Sequence, residues 1–204
     1  MASRVMHYGV TSMINAHLCM HDASFFLGGL APDVHSYMGT SHYYVSHFAF
    51  RNEKGQTETN YEQYRSKYLF REISPFYLGY YFHLISDDIW KREVYYKRVK
   101  HLPPEARREA LQKNYRDFRR LNGMIINHYS LHLRELKAID VDMDEIDSRH
   151  FPKLINALHG DFVLSDEASG EELELLDFAE VLHVIDESVR TCLEAYAVLK
   201  RNFL

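Results

Sequence analysis

Two cysteines, Cys19 and Cys192, are all this chain of 204 residues contains. They lie far apart and form no CxxC pair, which argues against both a disulfide framework and a thiolate zinc site and fits a reducing compartment. Surplus positive charge is also absent. Lys and Arg number 24 against 29 Asp and Glu, and a net charge of -5 leaves nothing to neutralise a nucleic-acid backbone, so stable nucleic-acid binding is not expected. No apolar run reaches the length of a membrane span, and the opening "MASRVMHYGVTSMINAHL" lacks the unbroken apolar stretch of a secretory signal. Ala2 stands where a myristoylation motif requires glycine. A cytoplasmic protein without a transmembrane segment is the expectation.

What is plentiful is histidine, 13 residues, and imidazole is the commonest metal ligand and the usual acid or base near neutral pH. Apolar residues recur at three- and four-residue steps and alternating β-branched runs are few, so the chain reads as all-α, a single-domain multi-helix bundle over residues 1–204. Helices are expected over about 4–17, 22–28, 60–71, 74–98, 104–136, 148–159 and 170–200. Between about 30 and 60 periodicity fades, and the segment reads as one long loop with room for a turn or two of helix, a form that is often functional. The acidic stretch "IDVDMDEID" reads as a solvated linker. It is not a calcium loop, because Glu145 and Phe151 occupy the positions of the turn glycine and the bidentate glutamate.

Candidate ligands follow from spacing. In "YYFHLISDDIW", His83 and Asp87 lie one helical turn apart on an aromatic face, where an ionised carboxylate is costly unless something pairs with it. A helix-borne pair of this kind can serve one ion, and a buried His–Asp hydrogen bond is the structural alternative. The loop supplies Asp33 and His35 in "APDVH" and His42 and His47 in "SHYYVSHF", while His7 lies early in the first helix. His128 and His132 are one turn apart on the expected 104–136 helix, as weaker candidates for a ligand or its support. His183 and Glu187 form a similar pair on the last helix. At about 100° per residue, however, they point more than about 120° away from its apolar stripe and so read as exposed. Tyr43, Tyr44, Tyr80 and Tyr81 offer an aromatic wall for a cationic head group, against ordinary packing as the plainer account.

A His in the first helix, "FLGGLAPD", "SHF" fourteen residues after its Asp, and "HLISD" come in an order that resembles the zinc-dependent phospholipase C family, itself related to the S1/P1 nucleases. The likeness runs from His7 to Asp87. It implies a metal-dependent phosphoester hydrolase acting through a metal-activated water, with one or two Zn2+ ions. Asp33, His47, His83 and Asp87 become the ligands of one ion, with Asp87 bridging to a second ion at His7 and Asp33 the catalytic base. The implied substrate is a small phosphate ester or a phospholipid head group. The chain departs from the pattern in two places: six residues precede His7, and the stretch after Asp87 offers Lys91 and Glu93 where the relatives carry a further histidine. Three readings stand beside it, one of them a nuclease, which the acidic charge disfavours. His21–Asp22 resembles the dipeptide of HD-type phosphohydrolases, and a metal centre without catalysis would make this a binding protein.

Overall fold

Helix α1, Arg4–Leu18, begins where the Ser3 hydroxyl accepts the amide of Met6, and it stops at Cys19, whose left-handed backbone (φ 52°) returns its amide to Asn15. The computed structural model describes residues 2–38, 42–168 and 170–201. Helix α2, Ala23–Gly28, is capped by the Asp22 carboxylate, which accepts from Ser24. A 3₁₀ segment, Ala31–Tyr37, and the short helix α3, Tyr43–Ser46, lead into an antiparallel hairpin, β1 Ala49–Arg51 against β2 Thr57–Thr59. Then follow α4, Tyr61–Tyr68, and α5, Pro75–Trp90, which continues as a π-helical stretch, Lys91–Lys100. Helix α6, Pro104–His128, a 3₁₀ turn, Ser148–His150, α7, Phe151–Val163, and α8, Phe178–Arg201, complete the chain. The fold is all-α apart from that hairpin. No helix among the described residues is long and apolar enough to cross a membrane.

The expected loop between 30 and 60 is therefore built of defined pieces. Its hairpin turns at Gly55 (φ 70°) because the Asn52 side-chain oxygen accepts the amides of Lys54 and Gln56, closing the turn from within. Two expected helices end or start elsewhere. Helix α6 stops at His128, and after Ser130 (φ 49°) the chain runs as an irregular strap that buries Leu131, Leu136, Met143 and Ile146. The strap is pinned by the Tyr8 hydroxyl, which donates to the His132 carbonyl (2.8 Å) and accepts the Arg134 amide (2.9 Å). Apolar residues on such a strap imitate helical spacing, which is why the sequence reads as helix there. The acidic linker within the strap is docked rather than solvated: Glu145 is buried, bonded to the Tyr68 hydroxyl and to Lys67. Helix α8 begins at Phe178 because the buried Asp117 carboxylate accepts the amides of Glu174, Leu175 and Leu176 (2.8–2.9 Å), taking the donors that a longer helix would need.

The core surrounds α5. This helix packs on α2, α8, α1 and α4, and all but a few of its residues are buried. Its closest neighbour is α2, and glycine permits the approach: a Cβ at Gly79 would overlap the Phe25 carbonyl oxygen, and one at Gly28 would overlap that of Phe76.

Candidate metal centre

One stripe of α5 carries what is needed to assemble a site. Gly79 admits α2. Tyr80, fully buried, donates its hydroxyl to the Ser46 carbonyl and so holds the end of α3 against α5. His83 follows one turn on, then Ser86 and Asp87, the three- and four-residue steps of one helical face. The partners come from elsewhere: His7 from α1, Asp33 and His35 from the 3₁₀ segment, and His47 from the residue that ends α3.

The geometry is a triangle. His47 Nε2 lies 3.3 Å from His83 Nε2, and Asp33 Oδ1 lies 3.7 Å and 3.8 Å from those two nitrogens. His7 completes a second grouping, in which one ligand atom each of His7, Asp33 and His83 lie within 4.8 Å of one another. Its ring stacks on that of His83 at 3.7 Å. A tetrahedral zinc-class ion with bonds of about 2.0–2.1 Å places its ligand atoms about 3.3–3.4 Å apart, so the triangle needs to contract by only a few tenths of an ångström.

The tautomers follow from the outer hydrogen bonds. His83 Nδ1 faces the Gly29 carbonyl (2.9 Å), which only accepts, so Nδ1 carries the proton and Nε2 a lone pair. Ser46 lies 3.4 Å from the Tyr43 carbonyl and 2.9 Å from His47 Nδ1; when its hydroxyl donates to the carbonyl it accepts from Nδ1, and His47 Nε2 carries a lone pair. Ser86 likewise donates to the His83 carbonyl and accepts from His7 Nδ1 (2.9 Å). In these tautomers three Nε2 lone pairs and a carboxylate converge. Neither His7 Nε2 nor Asp33 Oδ1, both buried, has a hydrogen-bond partner among the described residues. A cation joined to such a set would satisfy all of these groups at once.

A proton does not fill that role near neutral pH. Burial holds His7 and His47 well below the ordinary histidine value and raises Asp33 above the ordinary carboxylate value. At 3.7 Å and 3.8 Å a protonated Asp33 is also too far away to donate. The shifts carry a sign for the metal-free protein. Below the unfolded histidine value of 6.5, the unfolded chain binds protons that the folded one refuses at His7 and His47, so their stability is complete above 6.5 and is lost as pH falls. Asp33, its value raised, acts oppositely above 3.8, one group against two. Chelated protein is therefore expected to melt at lower temperature at pH 5 than at pH 7 by circular dichroism; an equal or higher midpoint at pH 5 would contradict the buried neutral imidazoles.

Asp87 is almost fully buried, and its oxygens accept from the Ala2 amide (3.2 Å) and the Tyr43 hydroxyl (3.1 Å). Tyr43 stacks on His47 at 4.2 Å, and burial, with Asp87 beside it, raises its hydroxyl so that it stays a donor. In this structure Asp87 steadies the ring over the site. The Asp87→Asn variant is expected to retain metal about tenfold less tightly, the usual cost of losing a ligand's support; unchanged metal content and melting temperature would make it an ordinary core acid.

The weaker candidates divide. His35 is buried beside the centre, its ring 5.3 Å from that of His47, with Nδ1 donating to the Pro32 carbonyl. The others lie elsewhere. His128 is exposed against Tyr129 and Phe178, and His132 sits on the exposed strap rather than on a helix, so neither supports the centre. His183 is exposed, and Glu187 bonds to Arg92 (2.7 Å). Glu93 pairs at the surface with Arg92 and Lys97 and does not replace the missing histidine after Asp87, while Lys91 pairs with Asp88 (3.0 Å). His21 and Asp22 are exposed, Asp22 acting as a helix cap. Tyr80 and Tyr81 belong to the core rather than to a wall. Sequence reasoning missed Ser46, Ser86 and the Gly29 carbonyl. Only Ser86 left a signal, three residues after His83 on the same stripe. No protein-family model, curated protein or solved structure matches this chain.

Proposed function

We propose that the chain is a metal-dependent phosphoester hydrolase of the kind its motifs resemble, working in the cytoplasm. A zinc-class ion is held by Asp33, His47 and His83, with His7 as the fourth donor in reach. The observation that carries the reading is the convergence of three imidazoles on the buried Oδ1 of the Asp33 carboxylate, with His7 Nε2 and that oxygen lacking hydrogen-bond partners among the described residues. Neutral nitrogen plus a carboxylate suits zinc, whose protein sites use these ligands at short, tetrahedral separations. With Glu93 turned away, one ion accounts for the donors better than a larger set.

Bound there, such an ion supplies Lewis-acid polarisation of a phosphoryl oxygen and acidifies a water molecule. The protein supplies the rest. His83 and His47 are locked in orientation by Gly29 and Ser46. Asp33 is the most exposed of the donors, at 13%, so the centre is reached from its side. Its buried Oδ1 faces the histidines, and the remainder of the carboxyl is placed to accept a proton from the attacking water. As the water oxygen bonds to phosphorus, the ester P–O bond breaks and the released alkoxide takes a proton from solvent.

Purified protein is expected to carry about one equivalent of transition metal and to hydrolyse bis-p-nitrophenyl phosphate in a chelator-sensitive manner that zinc restores. Clearly less than one equivalent would sink the site. Bound metal without chelator-sensitive hydrolysis would leave a metal-binding protein in its place.

A further inference from the structure

A cavity of about 270 Å³ adjoins the centre, with Asp33 and His35 on one side and Tyr115, Phe118 and Arg119 of α6 on another. Its charged side chains are two arginines, Arg4 and Arg119, and two aspartates, Asp33 and Asp161. Arg4, also on the wall, is neutralised by a two-bond ion pair with Asp161 (2.8 and 3.1 Å). With Asp33 committed to an ion, the remaining charge of the wall is positive and comes from Arg119. The other arginines of α6 are all engaged: Arg107 with the carbonyls of Lys100 and Leu102, Arg108 with Glu105, Arg116 with Glu174, and Arg120 with Asp117, Glu171 and Glu174. Arg119 has no hydrogen bond or ion pair among the described residues and stands exposed at the cavity. Beside it Tyr115 is 61% exposed and packed edge-on to Phe118, an apolar surface open to solvent.

We infer that this cavity is the substrate subsite and takes a small phosphomonoester, Arg119 clamping the phosphate while Tyr115 and Phe118 seat one ring-sized alcohol. The inference rests on the hydrolase reading for the reaction but not for the binding. A guanidinium matches phosphate oxygens with two parallel donors, and a dianion gains most from a cation on each side of it. Size favours the monoester too. The cavity, just below the range of about 300–1,000 Å³ usual for small-molecule sites, matches a phosphate beside one ring-sized group.

The test is calorimetric titration of the zinc-loaded protein with inorganic phosphate and with phenyl phosphate, beside turnover of p-nitrophenyl phosphate and of its bis ester. Arg119→Gln is expected to weaken both ligands by about tenfold or more. Tyr115→Ala is expected to weaken phenyl phosphate by about fivefold while leaving inorganic phosphate within about twofold. Both side chains are exposed, so metal content and melting temperature serve as controls for folding. Binding that Arg119→Gln leaves unmoved, or no saturable phosphate binding by the zinc-loaded wild type, overturns the subsite. A higher kcat/KM for the bis ester than for the monoester overturns the substrate class. Intact, Arg119-dependent binding without chelator-sensitive turnover sinks the hydrolase reading and leaves the subsite standing.

Discussion

Replacing His83 with alanine is expected to empty the metal centre, lowering bound transition metal from about one equivalent per chain to under about a tenth after dialysis. His83 shares with Asp33 membership of both groupings of donors, and it is the imidazole that faces His47 on one side and His7 on the other. If about 10–16 kcal/mol of zinc affinity is shared among four ligands, losing one weakens binding by roughly a hundredfold or more. Stability supplies a second readout with its own sign. In wild type, zinc at about 100 times its Kd adds about 2.7 kcal/mol, and the melting temperature rises. In His83→Ala that increment vanishes. The metal-free variant loses the bond to Gly29 and the stack on His7, but it also loses one of the opposed lone pairs, so it is expected to melt closer to metal-free wild type than the burial of His83 suggests. Full zinc retention with an undiminished zinc-induced rise would show that His83 is a core histidine satisfied by Gly29 alone.

The grouping of residues at this candidate centre was partly legible in the sequence because they sit where local rules apply. His83 and Asp87 are four apart on a helix whose start, Ser74–Pro75, and apolar run are both plain. Asp33 after Pro32 and His47 are each ordinary alone, as a turn former and a solvated imidazole; they stand out because several such groups share one long segment opposite His83 and Asp87. What could not be read depends on contacts far apart in the chain. Tyr8 pinning the strap at His132 and Arg134 spans more than a hundred residues, and without it Leu131 and Leu136 read as the end of a helix. Asp117 taking three amides from Glu174 to Leu176 delays α8 in the same way. Asp87 shows the difference most clearly. Its burial was evident from the helical face, but whether it binds an ion or steadies Tyr43 depends on a residue 44 positions away.

The close contact of α2 with α5 predicts the largest effect on stability. Gly79→Ala is expected to destabilise the protein by about 3 kcal/mol or more, beyond the roughly 1 kcal/mol that alanine gains over glycine inside a helix. The new Cβ would overlap the Phe25 carbonyl oxygen and come within 2.9 Å of the Gly29 nitrogen; both are backbone atoms, so no side chain can swing aside and α2 must retreat as a unit. For a chain of this size that loss corresponds to a fall in melting temperature of roughly 6–12 °C. The effect reaches the centre, because the retreating α2 carries the Gly29 carbonyl away from His83 Nδ1 and frees the ring whose Nε2 faces the ion. Zinc affinity is therefore expected to fall about tenfold although residue 79 touches no ligand atom. Gly160→Ala is the matched control: on α7, with nothing within 4 Å of the place its Cβ would occupy, it should be neutral or stabilising by up to about 1 kcal/mol. If both variants behaved alike, the close approach of α2 would not be what fixes His83; if Gly79→Ala lost stability but kept its zinc affinity, packing and ligand orientation would be independent in this fold.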